Sequence, residues 1–259
     1  IHRYFAGGLG ILILSLAILA WRNRLTQGQP VILPLGLLAL IIFQAVLGMW
    51  TVTWQLKPVV VMSHLLGGLA TLSLLAWLVL RHGQYGQATT NGNTESMRGY
   101  VLLGLILLVG QIALGGWTSA NYAALACPDF PTCQGHWWPP TDFGEAFTLW
   151  RGLGVSYEGG VLTNEARMAV HWLHRLGALV VFLYLGWLSL RLLNASQNRA
   201  IRIAGLALAI LLVTQVALGI ANVVFYLPLP VAVAHNGGAA LLLLALVTLN
   251  HLLRPVRNA

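Results

Sequence analysis

The 259-residue sequence is poor in charge, with 6 Asp and Glu and 14 Lys and Arg that together make up 8% of the chain. Soluble domains carry about 25% charged residues, so this composition excludes a water-soluble enzyme and a disordered protein. There are only 2 cysteines, which excludes a disulfide-built scaffold. The net charge is +8, but the arginines are scattered singly, so no nucleic-acid partner is predicted.

Long apolar stretches dominate what remains. A membrane span needs about 20 mostly apolar residues. Seven stretches qualify, and none contains Asp or Glu: Tyr4–Trp21, Val31–Met49, Val59–Leu80, Tyr100–Trp117, Met168–Leu193, Ile201–Phe225 and Val231–Leu253. The sequence therefore predicts an all-α polytopic membrane protein with seven visible transmembrane helices and membrane lipid as its surroundings.

The basic residues predict the orientation in the membrane, because cytoplasmic loops carry an excess of Lys and Arg. One set of connections holds nine of them: Arg22, Arg24, Arg81, Arg98, Arg191, Arg199, Arg202, Arg254 and Arg257. The other set holds five: Arg3, Lys57, Arg151, Arg167 and Arg175. The long loop 120–166 then faces outward. Its Cys127 and Cys133 would lie in an oxidising compartment, where a disulfide can persist.

An internal repeat divides the chain. Residues 44–67 align without gaps on residues 215–238 with 8 identities in 24 positions, and a His-Arg pair at His2 matches one at His174. The order of spans predicts two parallel, pseudo-symmetric four-helix bundles. Residues 1–80 would form the first half, 81–98 a polar cytoplasmic linker and 99–259 the second half. By symmetry, an eighth helix is expected upstream of Ile1.

Four histidines are matched between the halves: His2, His64, His174 and His235. Each lies near the outer end of a span, and an ionisable residue inside a membrane is a functional candidate. The alternative is a neutral histidine that bonds neighbouring helices. Two imidazoles at equal depth in each bundle favour axial ligation of haem iron. Zinc is disfavoured because no Cys or carboxylate completes a tetrahedral set in these spans.

Other residues near these histidines invite assignments. Arg3 and Arg175 could pair with haem propionates. His171 shares a helix face with His174 and could support a ligand or line a pocket. Four glycines could admit a flat macrocycle or pack helices: Gly67, Gly68, Gly237 and Gly238. His82, His136 and His251 are expected to be solvated or interfacial.

A Gln-x-x-Leu-Gly motif occurs three times, at Gln44, Gln111 and Gln215. A buried Gln can bond a neighbouring helix or a cofactor, and the glycine permits close approach of the helices. Helix packing is the favoured interpretation. In the outer loop, Trp137 and Trp138 are predicted to anchor the protein at the membrane interface.

The sequence resembles the haem A synthase family along nearly its whole length. The resemblance rests on motifs in a specific order: Ile1-His2-Arg3-Tyr4-x-Ala6-Gly7, Ser63-His64, Leu114-Gly115-Gly116-Trp117-Thr118-Ser119, Cys127-Pro128-Asp129-Phe130-Pro131-x-Cys133, His171-x-x-His174-Arg175 and Ala234-His235. It implies eight spans in two halves, and an oxidoreductase of the bacterial inner membrane that oxidises a ring methyl of haem O to the formyl group of haem A.

The resemblance also implies roles for individual residues. His2 and His64 would line the catalytic site that receives the substrate haem, and His174 and His235 would ligate a haem b. The cysteine pair would be the family's outer-loop disulfide, on the periplasmic side. The family carries a Glu three residues before the first His-Arg pair, a position that would precede Ile1. Implied partners are haem O synthase, cytochrome oxidase assembly and an electron donor that the sequence does not name.

Three alternatives remain open at this stage. The first is a dihaem b-type membrane cytochrome that transfers electrons, which accounts for four histidines equally well. The second is a haem transporter or chaperone, which would need an exchangeable haem and would leave haem chemistry unchanged. The third is a structural bundle without any cofactor, which would show no haem absorption.

Overall fold

The computed structural model describes residues 1–83, 93–152, 154–195 and 198–254. Within these ranges the chain forms eight α-helices: α1 His2–Arg22, α2 Ile32–Thr53, α3 Pro58–His82, α4 Asn93–Ala120, α5 Phe143–Ala146, α6 Asn164–Ala195, α7 Arg199–Val224 and α8 Leu229–Leu252. All but the short α5 contain a segment long and apolar enough to cross a membrane. The predicted all-α polytopic membrane protein is confirmed.

The helices extend further than the predicted spans. α6 begins at Asn164 rather than Met168, because hydropathy marks the apolar core while helical hydrogen bonding continues beyond it. The predicted linker 81–98 is too long at both ends for the same reason, since α3 continues to His82 and α4 begins at Asn93. The rest of that linker, residues 84–92, lies outside the described residues.

The helices of the second half form a closed ring in which α4 packs on α6, α6 on α7, α7 on α8 and α8 on α4. In the first half, α1 packs on α2 and α2 on α3. α3 joins the halves by contacting both α4 and α8. α2 therefore pairs with α3 in the first half as α7 pairs with α8 in the second.

The turns between α2 and α3 and between α7 and α8 repeat the same backbone conformation. Gln55 and Leu56 have φ of 50° and 62°, and Tyr226 and Leu227 have φ of 56° and 62°. In both turns the leucine N–H donates to the carbonyl five residues earlier, at 2.9 Å in the first half and 2.7 Å in the second. Such left-handed pairs are unusual outside glycine, so their repetition supports the sequence repeat.

Helix packing uses small residues as well as leucines. Leu185, Leu208 and Leu246 are fully buried in the second-half core. A Cβ placed on Gly104 would lie 2.9 Å from Leu185 Cδ2, and one on Gly205 would lie 2.9 Å from Leu192 Cβ. Because lipid tails are as apolar as leucine, this close van der Waals contact holds membrane helices together.

The outer loop between α4 and α6 is tied to the helices beneath it. The predicted Cys127–Cys133 disulfide is present. Arg175 of α6 donates to the carbonyl oxygens of Cys127 and Thr132, at 2.7 Å each. Trp117 Nε1 of α4 donates to the carbonyl of Ala146 at 2.9 Å. The loop is therefore an ordered cover on the outer ends of α4 and α6.

Candidate functional site

The structure brings the two first-half histidines close together. The ring centres of His2 on α1 and His64 on α3 are 6.5 Å apart, and the ring planes are inclined by 85°. Two imidazoles that share one metal ion at metal–nitrogen distances of about 2 Å have ring centres about 6 Å apart. The separation of His2 and His64 therefore suits a shared metal ion.

The second-half histidines are each approached by a glutamine from the preceding helix of the ring. Gln111 Nε2 of α4 lies 3.0 Å from His174 Nδ1 and donates to the His174 carbonyl at 2.9 Å. Gln215 Nε2 of α7 lies 3.5 Å from His235 Nε2. His174 and His235 are also close enough to interact electrostatically. The structure thus brings the second predicted pair into one bundle.

A glycine lies against the imidazole in three of the four cases. A Cβ added at Gly48, Gly115 or Gly219 would lie 3.1–3.3 Å from the Cε1 atom of His64, His174 or His235, respectively. These glycines are the last residues of the three Gln-x-x-Leu-Gly motifs. The motif therefore does more than pack helices, because it places a bare backbone beside each of these imidazoles and leaves the ring little room on that side.

The histidines fit the axial ligation that the sequence predicts for haem. His64 Nδ1 and His235 Nδ1 are buried and have no hydrogen-bond partner within the described part of the chain. In the same ranges, no group of three or more His, Cys, Asp or Glu side chains could hold a metal ion by itself. Imidazole pairs of this kind suit an iron that porphyrin nitrogens already hold, because such an iron needs only axial ligands.

The two arginines predicted to meet propionates differ in their surroundings. Arg3 is exposed at the start of α1. Arg175 holds the outer loop, and its Nε–H also donates to His171 Nε2 at 3.2 Å. His171 is 4% exposed and so supports the arginine rather than lining an open pocket. A propionate contact for either arginine stays a prediction.

The other histidines agree with the sequence in two cases of three. His82 and His136 are exposed, as expected. The prediction for His251 is wrong, because this residue is 3% exposed and packs edge-on against Trp77 of α3, with ring centres 5.6 Å apart. The contact between α8 and α3 buries a position that looked like a helix end in the sequence.

Lys57 is a feature that the sequence did not reveal. This residue, the only lysine of the chain, is 1% exposed at the outer start of α3. Its Nζ donates to the Gly152 carbonyl at 2.8 Å and lies 2.9 Å from the ring centre of Trp150. Burial lowers the pKa of the Lys57 ammonium group. The only signal in the sequence was a single basic residue beside an apolar span. The residues that contact Lys57 lie about a hundred positions further along the chain.

Comparisons with known proteins agree with the resemblance. Residues 1–247 match the COX15-CtaA family, described as cytochrome oxidase assembly protein. A protein of Shewanella oneidensis named heme A synthase is 48% identical over 253 residues, covering 98% of this chain and 75% of that protein. Proteins of the same name from Rhizorhabdus wittichii and Halalkalibacterium halodurans are each 26% identical, covering 96% and 90% of this chain and 69% and 72% of theirs.

Proposed function

The chain belongs to the COX15-CtaA family of cytochrome oxidase assembly proteins, and from this membership we propose that it acts as a haem A synthase. The substrate would be haem O, and the product would be haem A, in which one ring methyl has become a formyl group. The observation that carries the proposal is the duplicated histidine pair, of which His2 and His64 have ring centres 6.5 Å apart.

The two halves would have different tasks. His2 and His64 would hold the iron of haem O in the first half and so fix the position of the reacting methyl group. His174 and His235 would ligate a resident haem b in the second half. The second-half task is supported by the approach of Gln111 to His174 and of Gln215 to His235 within the closed ring of helices.

The chemistry needs more than side chains. The change from methyl to formyl adds one oxygen atom and removes two hydrogen atoms, a four-electron oxidation that requires an external oxidant. When bound, haem b supplies the one-electron redox chemistry that amino-acid side chains lack. The protein would orient both macrocycles through its imidazoles and keep water from the reacting carbon with its apolar helices.

The proposal includes a place in the cell. The protein would lie in the bacterial inner membrane with its disulfide loop on the periplasmic side, as the excess of basic residues on the opposite connections favours. Haem O would come from a haem O synthase, and haem A would pass to cytochrome oxidase during assembly. An electron donor that the sequence does not name would be the remaining partner.

The product of the reaction tests the proposal. The full-length protein would be expressed with a haem O synthase in a bacterium that makes no haem A of its own, under aerobic growth. Haems extracted from the membranes would be separated and identified by mass. We expect haem A in the strain with this protein and only haem B and haem O in the strain with an empty vector.

Recovery of haem B and haem O alone, from membranes that contain the folded protein with bound haem, would contradict the proposal. That outcome would favour a dihaem cytochrome that transfers electrons without changing the macrocycle. Recovery of the protein with no bound haem at all would contradict both functions.

A further inference from the structure

Three helix pairs share a joint in which a glutamine side chain fills the space above a glycine of the neighbouring helix. The glycine lies three residues after the histidine in each case, so the joint links a Gln-x-x-Leu-Gly motif to a His-x-x-Gly motif. The joints are Gln44 with His64 and Gly67, Gln111 with His174 and Gly177, and Gln215 with His235 and Gly238. Any side chain on these glycines would displace the glutamine.

The end of the amide that faces the glycine is unpaired in all three joints. The buried atoms without a hydrogen-bond partner among the described residues include Gln44 Nε2, Gln111 Oε1 and Gln215 Oε1. These are also the amide atoms nearest to the added Cβ positions, at 1.8, 2.3 and 2.2 Å. The glycine thus accepts either the NH₂ or the carbonyl end of the amide.

At the other end of the second-half amides lies the histidine ring. Gln111 Nε2 is 3.0 Å from His174 Nδ1. With its NH₂ end toward the ring, Gln111 donates, which places the ring proton on Nε2. With its ends exchanged, Oε1 would lie beside Nδ1 and accept a hydrogen bond from it. Nε2 would then carry the lone pair that a metal ion requires.

Iron ligands in proteins need such a partner. A ligating histidine almost always donates its other ring N–H to an acceptor, which fixes the tautomer and the ring direction. The Gln111 side chain, whose amide lies 3.0 Å from His174 Nδ1, could accept that proton through its carbonyl end. Within the closed ring of α4, α6, α7 and α8, the two glutamines are half-buried beside the histidines.

We propose that Gln111 is a positioning residue for His174, and that its amide turns to accept the Nδ1–H when His174 Nε2 binds haem iron. This inference rests on the proposed haem b site of the second half. Gln44, whose amide is oriented the opposite way, shows that the joint accommodates both orientations.

The test compares Gln111→Leu and Gln111→Glu in the full-length, haem-loaded protein. Leucine fills a similar volume but cannot accept a hydrogen bond, whereas the Glu carboxylate can. We expect Gln111→Leu to hold haem b 10–100-fold more weakly, roughly the usual cost of losing such a partner. In the haem that remains, the low-spin electron paramagnetic resonance signal should shift. Gln111→Glu should restore haem retention and lower the midpoint potential, because an anionic acceptor strengthens the imidazole as a donor to ferric iron.

Two further variants separate positioning from packing. Gly177→Ala keeps the amide but pushes it from its place, because the new Cβ would lie 2.3 Å from Gln111 Oε1, so its resonance signal should shift as in Gln111→Leu. Gly186→Ala on the same helix has nothing within 4 Å and serves as the control.

Unchanged haem affinity, resonance signal and midpoint potential in Gln111→Leu would overturn the inference, even if the variant were less stable to heat. So would a Gln111→Glu variant that behaves like Gln111→Leu. Both results are read from bound haem, so they are independent of whether haem A is made. Absence of haem A from cells with the wild-type protein, together with a shifted signal in Gln111→Leu, would contradict the proposed function and support the positioning role.

Discussion

The helix pairs α2–α3 and α7–α8 are built alike but end differently at the outer surface. In the second half, the turn is open to its surroundings, with Phe225 64% and Tyr226 71% exposed. In the first half, the outer loop lies on part of the same turn, in which Leu56 stays 40% exposed. Tyr157 N–H donates to the Gln55 carbonyl at 3.1 Å, and Lys57 is buried beneath Trp150.

The difference shows that a loop of one half serves the other. The segment that covers the α2–α3 turn lies between α4 and α6 and so belongs to the second half in sequence. Lys57 precedes His64 by two helical turns, about 10 Å along α3. The outer loop therefore connects the cover of the proposed substrate site to Arg175, which lies next to His174 and holds the same loop.

The largest expected effect is the loss of bound haem b when a proposed ligand histidine is replaced. Replacing His174 or His235 with alanine removes an axial ligand from the proposed haem b, and we expect the purified variant to lose its haem b absorption almost completely. His82→Ala, at the exposed C-terminal end of α3, should retain the wild-type spectrum. Equal haem b content in all three variants would refute the ligand assignment.

The glycine of the joint has a neighbouring glycine without such a contact in each half, so the effects of alanine at the two positions can be compared. A Cβ at Gly67 or Gly238 would lie within 2.2 Å of a glutamine side chain, whereas Gly68 and Gly237 have nothing within 4 Å. We expect alanine at Gly67 or Gly238 to reduce the free energy of unfolding by about 1–3 kcal/mol through overpacking. Alanine at Gly68 or Gly237 should leave it unchanged or slightly raised, because alanine favours helix. Thermal unfolding in detergent measures the difference, and equal effects at adjacent glycines would contradict the joint.

The cover on the first half depends on Lys57. Lys57→Met keeps the length of the side chain but removes the bond to the Gly152 carbonyl and the contact with Trp150, which should weaken the cover by about 1–3 kcal/mol. We expect trypsin to cleave the chain after Arg151, which precedes Gly152, at least several-fold faster in this variant than in the wild type. Tyr226→Ala, in the exposed turn of the second half, is the matched control and should leave that cleavage unchanged. A wild-type cleavage rate in Lys57→Met would show that Lys57 does not hold the loop.

The smallest expected effect is the loss of stability of the outer loop at low pH. Hydrogen bonds from Thr132, Gly135 and Gln134 lower the pKa of Asp129 to about 2 from 3.8. Because the unfolded loop binds a proton at higher pH than the folded loop, this stabilisation is complete above pH 3.8 and is lost as the pH falls through about 2.

Reduction of the Cys127–Cys133 disulfide by a phosphine reports on this loop. We expect Asp129→Asn to be reduced a few-fold faster than wild type at pH 5, with the ratio approaching one near pH 2. Glu158→Gln, at an exposed carboxylate of the same outer loop, should match wild type throughout. A ratio that stays constant with pH would exclude a contribution from the Asp129 charge.

The sequence predicts the seven spans, the repeat and the four histidines because each depends on local composition or on self-similarity. The family resemblance, read from motifs such as His171-x-x-His174-Arg175, is confirmed by the comparisons. The disulfide partners are six residues apart and left no alternative pairing.

Some contacts depend on how a helix is rotated about its axis or on segments that are far apart in sequence. These contacts could not be predicted from local composition. The three Gln-x-x-Leu-Gly motifs were visible, but which helix face they present is set by tertiary packing, so their contacts with His174 and His235 emerge only in three dimensions. The burial of Lys57 depends on Gly152, which is 95 residues away. Helix ends were misplaced because hydropathy marks the membrane core rather than the last backbone hydrogen bond.

The most direct test of the central claim compares His64→Ala and His235→Ala in cells that also make haem O. If the halves hold different haems, His64→Ala keeps its haem b and forms no haem A, whereas His235→Ala loses the haem b itself. Haem b and haem A, each measured per mole of purified protein, report both outcomes in one extraction. Wild-type haem A formation by His64→Ala, or loss of haem b from both variants, would contradict the division of labour between the halves.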